Sequence, residues 1–253
     1  MTIHTHTTCP VHADFDPLSS TFLADPFAVL ASLPRETPVF YAPSMVSLDP
    51  PAHTRLRAPT VRAFTPRRVA QMESRIRATV DQLLDAIDPS APFDLVATLT
   101  FPLPTTIIFS FVGIPERDWP QLKEWCGHRA SLAWGRPTPT EQVHHAENMA
   151  AYRGYLRTFV SRKAQERDDT FTSALLAIHD ENPEALTLEE ISSSLFSLTF
   201  AGHETTNYLI GNVVRRLLGE PARWDAVVAD PALIPGAVDE TLRYDPSVPV
   251  FRQ

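Results

Sequence analysis

Between Leu195 and Ile210 the sequence is apolar on nearly every side of a helical wheel, the pattern of a buried central helix rather than a surface one. Thr187, followed three residues later by Glu190, marks the entry to that helix as a capping box. A helix over Leu188–Leu218 would run about 46 Å at 1.5 Å per residue, long enough to cross a domain. Its interior holds Ala201-Gly202-His203-Glu204-Thr205-Thr206. A mid-helix glycine costs roughly 1 kcal/mol against alanine, and glutamate is seldom buried without a purpose. Small residues let a flat group approach the backbone, and Thr205 can bond back to the Ala201 carbonyl. Close packing would account for the glycine alone, but not for the Glu-Thr pair beside it.

The same period of apolar positions predicts the other elements. Pro26 to Leu33 is a short amphipathic helix, and Pro38-Val39-Phe40-Tyr41 has strand composition, halted by Ala42-Pro43-Ser44. Pro51 starts a helix, Pro66 to Ile87 is amphipathic, and Phe93 to Val112 is apolar and broken by prolines, with Leu103 to Ile108 a buried helix. Glu116 to Trp125, Thr140 to Arg167 and Phe171 to His179 are further helices, separated by loops at Trp134–Pro137 and Arg167–Asp169. The 24 prolines against 8 glycines fit this reading. Asp25-Pro26, Thr65-Pro66, Asp230-Pro231 and Ile234-Pro235 sit where helices begin. The fold class expected is mainly α. Residues 1–20 are a polar, flexible segment, and 21–253 form a single helical domain, since no repeat or low-complexity linker divides it.

Composition narrows the functional classes. A formal net charge of -8 argues against nucleic-acid binding. No run of about 18 uncharged apolar residues offers a membrane span, and Met1 to His12 lacks a signal-peptide layout, so the expected compartment is cytoplasmic. Cys9 and Cys126 cannot build a disulfide framework, and Cys126 reads as a structural thiol. His4, His6, Cys9 and His12 have metal-ligand chemistry but no apolar framework to hold them. His144 and His145 fall on a polar helix face.

Two further patterns carry chemistry. In Asp49-Pro50-Pro51-Ala52-His53-Thr54-Arg55-Leu56-Arg57, His53 and Arg57 lie one turn apart on one face. They suit a grip on carboxylates or phosphate, or else form a solvated basic face. Seven arginines lie between Arg55 and Arg77 in an otherwise acidic chain, of which Arg75 and Arg77 read as a solvated helix face. Further on, Glu240-Thr241-Leu242-Arg243 spaces an acid and a base three apart on a helix.

The Ala-Gly-His-Glu-Thr-Thr helix followed by Glu-x-x-Arg, with the earlier Asp-Pro-Pro-x-His motif, resembles the cytochrome P-450 family of haem-thiolate monooxygenases, in its soluble bacterial type. The resemblance covers nearly the whole chain. It implies a partial P-450-like helical fold around one long central helix, with most of the small β-sheet absent. It also implies haem b as cofactor, with His53, Arg57 and Arg252 on the propionates. Glu204 and Thr205 would be the acid–alcohol pair that relays protons so that the O–O bond breaks productively, while Ala201 and Gly202 leave room for O2 and a small organic substrate. Glu240 and Arg243 would form a buried, bidentate structural pair. The arginine-rich region would dock a ferredoxin-type electron donor, itself served by a reductase, by charge steering.

The chain also departs from the family. The axial thiolate comes in the family from a Phe-Gly-x-Gly-x-His-x-Cys-x-Gly loop after the Glu-x-x-Arg helix, and that loop does not occur in these 253 residues; no metal ligand is therefore assigned. Only Ala42 to Leu48 separate the strand from the Asp-Pro-Pro motif. Seven residues reach about 25 Å when extended, too little for the family's hairpin, helix and substrate loop. The expectation is a truncated member of the family, inactive alone, with a haem-free helical remnant or interaction module as the alternative.

Overall fold

The computed structural model describes residues 45, 48–135 and 137–248, which fall in one compact unit spanning Ser44–Pro249. The expected helix at Pro26, the strand at Pro38–Tyr41, the histidines of the first twelve residues, Cys9 and Arg252 lie outside the described residues. Among those described there is no strand.

Among the described residues nine α-helices follow one another: α1 Ala52–Ala63, α2 Pro66–Asp85, α3 Pro102–Val112, α4 Trp119–Trp134, α5 Pro139–Gln165, α6 Phe171–Glu181, α7 Leu188–Leu218, α8 Pro221–Ala229 and α9 Ile234–Tyr244. A π-turn at Val96–Thr100 leads into α3, and short 3-10 turns precede α4 and α9. Local signals set these bounds. Thr65 accepts from Arg68 N at 3.2 Å ahead of Pro66, and α3 ends at Gly113, whose φ of 90° suits a residue without Cβ. The amides of Gly113 and Ile114 both reach the Phe109 carbonyl at 2.9 Å, closing the helix in a Schellman turn.

Helix α7 begins where the capping box predicts. The Thr187 hydroxyl accepts from Glu190 N at 3.2 Å, and Glu190 Oε2 accepts from Thr187 N at 2.9 Å. The helix is flanked chiefly by α3 and α5, and more lightly by α4, α6, α8 and α9. Its buried stripe runs Ile191, Leu195, Thr199, His203, Asn207, every fourth residue. Thr199 and Asn207 are paired as burial demands. Thr199 Oγ1 donates to the Leu195 carbonyl at 2.6 Å and also meets the Tyr152 hydroxyl, while Asn207 Oδ1 accepts from Thr100 Oγ1 at 2.6 Å.

The helix is not buried all round, as its apolar wheel suggested. Ala201, Thr206 and Tyr208 are exposed, each at a place the flanking helices do not cover. Helix α4 runs to Trp134 rather than stopping near Trp125, so Cys126 is inside it. Helix α5 opens on a second capping box, Thr138 with Glu141. His145 is not a free surface residue: its Nδ1 lies 2.7 Å from Nδ1 of His128, because α4 and α5 pack together. His144 is exposed.

Candidate active site

The middle of α7 gathers four of the residues singled out from sequence. Thr205 Oγ1 donates to the Ala201 carbonyl at 2.9 Å, the back-bond expected of a mid-helix threonine. Ala201 and Thr205, one turn apart, therefore share a face, and Ala201 on it is exposed. Gly202 is turned elsewhere. A Cβ built on it would meet Ile108 Cγ1 of α3 at 2.6 Å, so the glycine lets α7 lie directly against α3.

Glu204 keeps 12% of its side-chain exposure, and no arginine or lysine pairs with it among the described residues. Its Oε1 lies 3.3 Å from Nε2 of His203, whose side chain is wholly buried. Nε2 itself makes no hydrogen bond, while Nδ1 donates to the Thr199 carbonyl at 2.8 Å. The His203 ring is walled by Phe101 and Phe109, each with its centre 6.1 Å away. Burial and the Glu204 carboxylate raise the Tyr208 phenol above its usual range. Sequence reading passed over His203; its signal was the place it takes four residues after Thr199 on the buried stripe.

His53 and Arg57 stand together on α1. Arg55, between them, is tied down: it pairs with Glu190 in the first turn of α7 and donates to the Ala185 carbonyl at 3.2 Å. Arg62 pairs with Glu181, Arg68 with Asp169 and Arg77 with Glu73. The side chains of His53 and Arg57 have no such partner among the described residues, nor have those of Arg67 and Arg75. Helix α1 is thus docked near the start of α7. No hydrogen bond or ion pair joins His53 or Arg57 to Glu204 or Thr205.

Glu240 and Arg243 form the expected bidentate pair, Nε to Oε2 at 2.7 Å and Nη2 to Oε1 at 2.6 Å. It is not buried: the side chains retain 62% and 68% of their exposure, because α9 turns this face away from α7. What ties α9 to α7 is Asp245, which sequence reading missed. Its carboxylate takes Arg215 and Arg216, the latter at 2.9 Å, and Asn212 Nδ2 donates to its carbonyl at 3.0 Å. Two arginines in the last turn of α7 were the available signal.

Cys126 cannot serve as an exposed thiolate. It is fully buried, its Sγ lies 3.7 Å from the Tyr152 hydroxyl, and burial pushes its pKa up to about 12. No group of three or more His, Cys, Asp or Glu residues suited to a metal ion occurs among the described residues. No described helix is long and apolar enough to cross a membrane.

Comparison with known proteins adds the relatives. The family model described as cytochrome P450 matches residues 36–228. Erythromycin C-12 hydroxylase of Saccharopolyspora erythraea is 37% identical over 248 residues, covering 96% of this chain and 60% of that protein. Vitamin D(3) 25-hydroxylase of Pseudonocardia autotrophica is 37% identical over 213 residues, covering 84% and 51%. Among solved structures, the cytochrome P450 CREJ in complex with (4-ethylphenyl) dihydrogen phosphate superposes with a TM-score of 0.76 at 39% identity, covering 82% of this chain and 52% of that one. Ligand-free CYP164A2 of Mycobacterium smegmatis gives 0.73 at 35% identity, covering 80% and 53%. The chain spans about half the length of most of the relatives it matches.

Proposed function

This chain belongs to the cytochrome P450 family, and on that premise we propose that it builds the proton-delivering side of a haem-dependent monooxygenase. One observation carries the reading: Thr205, back-bonded to Ala201, and the largely buried Glu204 stand side by side next to the open face of α7. The Thr205 hydrogen is committed to the Ala201 carbonyl, so its oxygen is left to accept from a water or a donor. Glu204, with one edge exposed, can take a proton from solvent and pass it on. Ala201 offers only a methyl group beside that hydroxyl, which leaves room for O2 and a small organic substrate. Gly202 sets the depth of that face by letting α7 approach α3.

The donor set fits one side of haem b. Among the described residues the side chains of His53 and Arg57 have no ion-pair partner, beside arginines that do, and with Arg252 they would hold the propionates. Haem, when bound, supplies the reductive activation of O2. Glu240 and Arg243 contribute to the structure around α9. Arg67 and Arg75, also unpaired among the described residues, leave a basic surface for an acidic ferredoxin-type donor, served by its reductase, in the cytoplasm. The test is Thr205→Ala in a haem-loaded form of the protein restored with the family's thiolate loop and fed by such a donor. Electron use continues while product formation falls. Unchanged coupling removes the assignment.

A second reading is favoured by Cys126, sealed as a thiol in the helix bundle. In it the chain is a haem-free helical module with no catalytic role. Salt-sensitive binding to a ferredoxin-type donor separates the two, since the module shows none.

A further inference from the structure

We propose that His203 is a positioning residue behind Glu204, its Nε2 sharing one proton with the Glu204 carboxyl inside the helix bundle. The tautomer is set by the backbone. A carbonyl only accepts, so the 2.8 Å contact with Thr199 O requires the hydrogen on Nδ1. In a neutral imidazole this leaves a bare lone pair on Nε2. That atom is buried and makes no hydrogen bond, and a carboxylate oxygen of the next residue lies 3.3 Å from it. Two acceptors this close in a site walled by Phe101 and Phe109 repel one another. One proton placed between them turns repulsion into a charge-assisted hydrogen bond.

Among the described residues no other group partners Nε2. Tyr208, on α7, faces the carboxylate from the open side. On α4, Cys126 stays a thiol, and the Arg129 guanidinium lies over Phe196 and Phe200 with Nη1 on the Phe196 carbonyl. The Lys123 ammonium sits 4.6 Å from the centre of the Phe101 ring. From α5, Tyr152 is engaged with Thr199 and Cys126. Neither cation pairs with Glu204; the Tyr208 hydroxyl donates to it but carries no charge, and on the buried side the carboxylate has His203 beside it.

When Glu204 gives a proton to an acceptor on its exposed side, the proton held at Nε2 passes to Oε1. The pair refills from water at the exposed edge of the carboxyl. This consequence rests on the reading of Glu204 as a relay; the sharing itself does not.

The test is nitrogen NMR on the 253-residue chain carrying 15N-labelled histidine, without haem. The His203 Nε2 resonance is expected away from the position of a bare ring nitrogen, and Glu204→Ala returns it there. Loss of the signal in His203→Gln assigns it; if that variant does not fold, its contact with Thr199 assigns it in the unaltered chain. An Nε2 that is bare at the outset, or unmoved by Glu204→Ala, overturns the proposal. Such a failure leaves the monooxygenase reading intact, and a failure to bind haem leaves the shared proton intact.

Discussion

A Cβ placed on Gly202 would lie 2.6 Å from Cγ1 and 2.8 Å from Cδ1 of Ile108, so the central helix touches α3 through a position where even a methyl group cannot enter. Ile108 is buried and stiff at χ1 as a β-branched residue in a helix, which leaves it little room to turn aside. Gly202→Ala gains roughly 1 kcal/mol of helix propensity and costs about 1–3 kcal/mol of overpacking. The expected net is a loss of about 1 kcal/mol by chemical denaturation. In an Ile108→Ala background the same change fills the space it creates and becomes stabilising. Additive effects of the two substitutions would remove the packing explanation of this glycine.

Arg243 is the converse case, because its pair with Glu240 is well formed yet lies in solvent. Removing one partner of a buried pair strands a charge; removing one partner of an exposed pair exposes it to water that already surrounds it. Arg243→Ala should leave the melting temperature of this 253-residue chain unchanged. Asp245→Ala, which releases Arg215, Arg216 and the end of α9, should lower it. The reverse order would show that Glu240 and Arg243 are shielded in solution.

Asp168 joins α5 to α6. It accepts from Thr170 N at 3.2 Å, from the Thr170 and Ser173 hydroxyls at 2.6 and 2.8 Å, and pairs with Lys163. Burial pushes its pKa up, but Lys163 and the hydroxyls outweigh it, and the carboxyl falls from 3.8 to about 2. A pKa lowered by folding adds stability above the unfolded value and loses it as pH falls. Asp168→Asn should cost about 1 kcal/mol at neutral pH, discounted because the site is partly exposed. The gap between the two proteins should close between about pH 4 and pH 2. Parallel melting curves down to that range would contradict this.

Cys126 works in the opposite sense. Burial raises the thiol from 9.0 to about 12, despite the hydrogen bond with Tyr152. The folded state therefore binds a proton that the unfolded state has released, and its advantage is lost as pH climbs from about 9 toward about 12. Denaturation at a series of alkaline pH values should show stability falling by roughly 1.4 kcal/mol per unit from this group, a component absent from Cys126→Ala. The same slope in the variant would assign it to other groups.

Local chemistry was readable wherever a few adjacent residues decide the structure. Thr187 with Glu190 and Thr65 before Pro66 gave helix starts that the structure reproduces. Thr205 bonds to Ala201 as its spacing requires. What sequence could not show is which side of an element other elements cover. An apolar wheel cannot tell that Ala201, Thr206 and Tyr208 of α7 stay exposed, and an acid three residues before an arginine looks alike in water and in a core. His203 was passed over for the same reason. Its place four residues after Thr199 on the buried stripe was legible, but its contact with the next residue has no signature along the chain. The capping box of α5 was legible in Thr138 and Glu141, and was hidden by reading the helix from Thr140.

The most direct measurement is a haem titration of the 253-residue chain beside its His53→Ala/Arg57→Ala variant, followed by the spectrum of the reduced carbon monoxide complex. Two charged contacts to the propionates, each contributing about 1 kcal/mol or more, predict saturable binding by the unaltered chain that weakens at least about tenfold in the variant. The sealed Cys126 thiol predicts that neither complex shows the red-shifted band of thiolate ligation. Equal affinities, no saturable binding, or a thiolate band abolished by Cys126→Ala would contradict the proposed placement of haem against this chain.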